Sequence, residues 1–84
     1  MKKKQHGLEI EKNVTIGSQS CILSGHIGEN SKIGNQVYIG QNVLIGKNVH
    51  IEDCCKIADD CKIDDGVHVP FASHIEKKTH LKKS

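Results

Sequence analysis

The sequence predicts an all-β solenoid, a chain that turns a corner after every very short strand, and three observations predict it. An aliphatic residue returns every six positions almost without interruption. A small or β-branched residue stands four positions after nearly every one of them. Aromatic residues are almost absent, with one Tyr, one Phe and no Trp. A core made of small branched side chains suits strands and stacked coils rather than helices packed around large rings.

The aliphatic series begins at Ile10, Ile16 and Ile22, takes one five-residue step, and resumes at Ile27. It then runs through Ile33, Ile39, Ile45, Ile51, Ile57, Ile63, Val69, Ile75 and Leu81, and every isoleucine of the chain lies on it. The second inward position holds Val14, Ser20, Ser31, Val37, Val43, Val49, Cys55, Cys61, Val67, Ser73 and Thr79. The residue directly after each aliphatic is usually Gly, Ala or acidic, with Leu23 and Pro70 as departures. The glycines therefore follow the same six-residue beat, which points to corner geometry and not to a phosphate-binding loop.

A helix needs apolar residues at spacings of three and four, and no such stripe is present. Hairpins need long alternating runs joined by turn dipeptides, whereas each unit here offers two inward residues before the chain must bend. The unit is a short strand plus a corner.

This pattern resembles the hexapeptide-repeat family, whose signature is an aliphatic residue, then Gly, Ala, Asp or Glu, two free positions, a small residue and one more. The resemblance covers Leu8 to about Leu81. It implies a single-stranded, left-handed parallel β-helix in which three hexapeptides make one triangular coil, about four coils in all, with no substantial α-helix. Residues one coil apart then stack at a strand spacing of ~4.8 Å. The expected columns are Ile10, Ile27, Ile45, Ile63 and Leu81; Ile16, Ile33, Ile51 and Val69; and Ile22, Ile39, Ile57 and Ile75. The short unit, Ile22 to His26, stays in step only with a tightened corner, for which Gly25 is suited. The chain divides into a basic N-terminal tail (1–7), the repeat body (8–81) and a C-terminal tail (82–84).

At 84 residues the chain is one domain, near the size where a single core is marginal without help, so a homo-oligomer is expected. Net charge is +2, from 12 basic and 10 acidic residues, a balance that gives no sign of a nucleic-acid partner. Lysines cluster at 2–4 and at 77, 78, 82 and 83, where they suit gatekeepers at the open ends of a stack. Acidic residues crowd Glu52 to Asp65, read as a solvated face lacking the ligand density of a calcium loop. No apolar run is long enough to span a bilayer.

Of the four cysteines, Cys55 and Cys61 fall at the small inward position and read as core residues, while Cys21 and Cys54 should be more exposed. With no signal-peptide pattern before them, a reduced, cytoplasmic setting is expected.

The resemblance implies an acyltransferase that takes an acyl or acetyl group from acyl-CoA or an acyl carrier protein thioester to a sugar or nucleotide-sugar, usually as a trimer with sites between subunits. A histidine acts there as general base. In the sugar-nucleotide acyltransferases of the family that histidine stands two residues after the aliphatic. Here those positions hold Lys12, Ser18, Ser24, Glu29, Asn35, Gln41, Lys47, Asp53, Asp59, Asp65, Phe71 and Lys77. Five of the six histidines, His26, His50, His68, His74 and His80, instead directly precede an aliphatic and should point outward. Eighteen-residue stacking places His50 under His68, which makes these two the candidates for base and orienting residue; a metal-site pair and a solvated ladder are the other readings. The family's zinc-dependent γ-class carbonic anhydrases use two histidines five apart, a spacing missing here, so no metal is expected. The alternative function is a non-catalytic β-helix scaffold or assembly module, which the small size and the vacant base positions suggest.

Overall fold

The computed structural model describes residues 7–83. The lysines at 2–4 and His6 of the expected basic tail lie outside the described residues.

Thirteen strands of two or three residues, and no helix, make up the described chain. Sheet 1 stacks β1 (Leu8–Ile10), β4 (Gly25–Ile27), β7 (Val43–Ile45), β10 (Lys62–Ile63) and β13 (His80–Leu81). Sheet 2 stacks β2 (Thr15–Ile16), β5 (Lys32–Ile33), β8 (His50–Ile51) and β11 (His68–Val69). Sheet 3 stacks β3 (Cys21–Ile22), β6 (Tyr38–Ile39), β9 (Lys56–Ile57) and β12 (His74–Ile75). Each strand pairs in parallel with the third strand along the chain, which is a solenoid of about four turns with three sides.

The register superposes the three aliphatic columns anticipated from the sequence. Ile10 pairs with Ile27, Ile27 with Ile45, Ile45 with Ile63 and Ile63 with Leu81. The same holds for Ile16, Ile33, Ile51 and Val69, and for Ile22, Ile39, Ile57 and Ile75. From Ile27 to Val69 the aliphatic positions are at most 3% exposed, and Val37, Val43, Val49, Cys55 and Cys61 fill the corners of the prism at 1%. The ends are open: Ile10 is 46% and Ile16 37% exposed, because no coil covers them among the described residues.

The corners are made by backbone conformation. The third residue after each aliphatic is left-handed in ten non-glycine cases, with φ from 55° to 65°, among them Asn13, Asn30, Asn42, Asn48, Cys54, Asp60 and Lys78. Such a residue costs about 1–2 kcal/mol if isolated, and Asn and Asp tolerate it best. Here its N–H is answered from the coil before: Cys54 N–H donates to Asn35 O at 2.9 Å and Asp60 N–H to Gln41 O at 2.8 Å.

The glycines that follow the aliphatics serve a different purpose from the one their spacing suggested. Gly17, Gly28, Gly34, Gly40 and Gly46 do not have positive φ; they are empty space. A Cβ on Gly34 would lie 2.3 Å from Asp53 Oδ1, and on Gly46 2.2 Å from Asp65 Oδ1. That carboxylate oxygen reaches down one coil to accept a backbone N–H: Asn35 donates to Asp53, Gln41 to Asp59 and Lys47 to Asp65, each at 2.8 Å, as Ser18 does to Asn35. Glycine below and Asp or Asn above are thus one device, and the acidic stretch is in large part its upper half. Gly25, at φ 126° and with Val43 O 2.0 Å from a Cβ built on it, closes the shortened unit as anticipated.

The inward polar positions are also answered from the next coil. Ser31 Oγ donates to Gly46 O at 2.8 Å and accepts from Val49 N–H at 3.1 Å. The thiols of Cys55 and Cys61 donate in the same way, to Pro70 O and Glu76 O, each at 3.0 Å. Burial pushes the Cys55 thiol up from its ordinary 9.0, which keeps it in the protonated form that donates. Both are core residues, while Cys21 and Cys54 are exposed.

Candidate active site

Within each unit the residues just before and just after the inward aliphatic both face outward, since side chains alternate along a strand. The five outward histidines are distributed over all three faces of the prism, and only one pair of them comes together. His50 and His68 are Cα partners on adjacent strands of sheet 2. Their rings stack with centroids 5.0 Å apart and planes inclined by 10°. Lys32 lies beneath them in the same column. His26 and His80 sit on sheet 1, and His74 stands over Lys56 on sheet 3.

The structure adds a third member that the sequence reading left among the solvated acids. Glu52 Oε2 accepts from His68 Nε2 at 2.5 Å. The residue two positions past the strand partner is the diagonal neighbour across a pair of strands, within reach of a long side chain. The same relation recurs where His80 Nε2 donates to Asp64 Oδ1 at 2.7 Å, and across the shortened unit where His26 Nε2 lies 3.0 Å from Glu11 Oε2. The signal was present as a carboxylate sixteen residues before a histidine, two short of a full coil. Hydrogen bonding by His80 holds the Asp64 carboxyl below its ordinary 3.8.

The Glu52, His68 and His50 cluster is open to solvent, with the His68 side chain 55% exposed, on a flat wall. With Nε2 engaged by Glu52, Nδ1 is the ring nitrogen of His68 left to accept a proton. The parallel stacking of the rings opposes shared metal binding, because a metal lies in the plane of each imidazole that ligates it. Among the described residues no group of three or more His, Cys, Asp or Glu has the geometry of a metal site.

A groove of about 640 Å³ lies on a different face, along the outside of sheet 1. Its floor is Leu44, 49% exposed, and His26, Lys47, Lys62, Asp64 and Lys83 are among the residues around it. The two acids nearest the groove are already engaged, Asp64 by His80 and Asp65 by the Lys47 N–H. Three lysines and two carboxylates therefore share its edge above an apolar floor. No described helix is long and apolar enough to cross a membrane.

No curated protein and no solved structure gives a significant match to the chain. Two family models do match. The bacterial transferase hexapeptide model (six repeats) matches residues 24–59 and 36–71, and the model for the hexapeptide repeat of succinyl-transferase matches residues 7–39. The repeat matches and the three-sided coil arrive at one identification: the chain belongs to the hexapeptide-repeat family.

Proposed function

We propose that the protein is an acyltransferase of the hexapeptide-repeat kind, with His68 as general base and Glu52 as the residue that orients it. The acyl donor is a thioester of coenzyme A or an acyl carrier protein, and the acceptor a hydroxyl or amine of a sugar or nucleotide-sugar. The observation that carries the reading is the Glu52–His68 contact at 2.5 Å, which fixes one ring nitrogen and frees the other for proton transfer. Both matching family models are named for transferases, which supports the reaction class.

In the proposed step, His68 Nδ1 takes the proton of the acceptor O–H or N–H as that atom attacks the thioester carbonyl. The carbon–sulfur bond breaks, and the leaving thiolate recovers the proton from the imidazolium. Glu52 stabilises the cation between the two transfers, and His50 covers one face of the ring.

The base and the groove lie on different faces of one prism, sheet 2 and sheet 1. One copy therefore cannot offer both to the same substrate. A ring of three copies sets unlike faces against each other at every interface, which is why a homotrimer is the assembly proposed.

A scaffold without catalysis is the second reading, and one observation favours it. The position where sugar-nucleotide acyltransferases of the family carry their base is spent here on backbone N–H groups, by Asn35, Asp53, Asp59 and Asp65. Sedimentation and thermal melting in excess coenzyme A separate the two. The enzyme reading expects a mass near three times 9.2 kDa. It also expects a rise in melting temperature, because a ligand that binds only the folded state stabilises it by about 2.7 kcal/mol at a hundredfold excess over Kd. A monomer whose melting ignores coenzyme A sinks the enzyme and leaves the scaffold.

A further inference from the structure

We infer that the last coil, residues 66–83, is fastened to the solenoid by a proton-dependent clasp made of the His68–Glu52 and His80–Asp64 pairs, whereas the coil beneath it is fastened chiefly by aspartate carboxylates that accept backbone N–H groups.

The contrast is in the side chains that join neighbouring coils. Between the second and third coils the link is the carboxylate device: Asp53, Asp59 and Asp65 each hold a backbone N–H of the coil below. An aspartate carboxyl ordinarily titrates well below neutral pH. Between the third and last coils the device is missing, because the residues that would supply it are Phe71, Lys77 and Lys83, and the glycines below are replaced by Glu52, Ala58 and Asp64. Two of those three replacements are the carboxylates that take a histidine from the coil above, at 2.5 and 2.7 Å. The third side has Ala58 below His74 and no such pair.

A carboxylate paired with an imidazolium makes a charge-assisted hydrogen bond; paired with a neutral imidazole it makes an ordinary one. An imidazole ordinarily crosses between these forms at physiological pH. The clasp is therefore tight in mild acid, where histidine is charged and carboxylate ionised, and slack in mild base. It also fails in strong acid, where the carboxylates protonate.

The neighbouring charges qualify each pair. Beside the His80–Asp64 pair stand Lys62, the strand partner of His80, and Lys82, both favouring the ionised carboxylate, with Lys83 lying over Gly66. Around the His68–Glu52 pair are His50 in the stack, Lys32 beneath it, and Asp53, Cys54 and Cys55 along the adjoining corner. Glu52 offsets the imidazolium of His68 against the cations below it. Both pairs stand at the surface, so each effect is modest and salt-sensitive.

Amide hydrogen exchange reads the two junctions separately, since strand N–H groups donate to carbonyls of the next coil. The amides of Glu52, Ala58 and Asp64 donate to Val69, Ile75 and Leu81 of the last coil, and those of Gly34, Tyr38 and Gly40 donate to Ile51, Cys55 and Ile57. After correction for intrinsic exchange, raising the pH from about 6 to about 8 should lower protection in the first set by about two- to tenfold, as two exposed pairs imply, and leave the second set unchanged. The doubly substituted H68Q/H80Q chain should lose this response, while H74Q, which has no pair to lose, should keep it. Equal pH responses at the two junctions overturn the clasp. So does a response that survives H68Q/H80Q, or one abolished by H74Q.

Discussion

The middle of the solenoid and its last coil share the same aliphatic columns and differ at their corners. Around the second and third coils, glycine below and Asp above let two backbones approach while a carboxylate satisfies the N–H between them. Around the last coil the corners carry Phe71, Lys77 and Lys83, and outward histidines reach down to carboxylates instead. The same core can therefore be sealed by two corner chemistries, one built on aspartate carboxylates that accept backbone N–H groups and exacting about space, the other built on histidine–carboxylate pairs without a glycine below.

Three measurements press on that difference, beginning with the core beneath it. Ile57 is 0% exposed and covered above and below, whereas Ile75 belongs to the last coil and is half-buried. Ile57→Ala should cost about 2–5 kcal/mol in urea unfolding, and Ile75→Ala less than half as much. Equal losses would show that the last coil is as well sealed as the middle. Next come the corners themselves. Asp59→Ala removes the acceptor of the Gln41 N–H and should cost about 1 kcal/mol, while Lys77→Ala, one coil higher at the equivalent corner, should stay within about 0.5 kcal/mol.

The smallest effect is the acid limb of stability. The bond from His80, with lesser help from Lys62 and Lys82, holds the Asp64 carboxyl below its ordinary 3.8. A carboxyl with a folded value lower than its unfolded one adds stability that is complete above the unfolded value and disappears as pH falls through the folded one. Urea midpoints taken from about pH 5 down to about pH 2.5 should fall less steeply in His80→Gln than in the parent. An identical slope would remove His80 as the cause.

The fold was legible in the sequence because its determinant is one-dimensional. A six-residue beat of Ile, grouped in threes by the family resemblance, sets the register of all three sheets, and even the five-residue step at Ile22 was readable with Gly25 as its remedy. The stacking of His50 on His68 followed from the same arithmetic. What escaped was diagonal. The Glu52–His68 pair and the glycine–aspartate corners join residues sixteen or nineteen apart, offsets that acquire meaning only once a coil of eighteen is laid out in space. The left-handed corner residues escaped for another reason. Asn, Gln, Cys, Asp, Ala and Lys all occupy that position, so side-chain chemistry does not mark it, and the bend is imposed by neighbouring coils.

The shortened unit at Gly25 shows how this architecture handles an error in length. One residue is missing between Ile22 and Ile27, yet the columns on either side run true. The deficit is absorbed where a side chain is lacking and the carbonyl of Val43 occupies the space a Cβ would need. Length is thus negotiable at a corner but not along a wall, where a single slip would turn every inward isoleucine to water. A lineage of such chains can gain or lose residues at its bends, and whole circuits of eighteen, while the interior stays in phase.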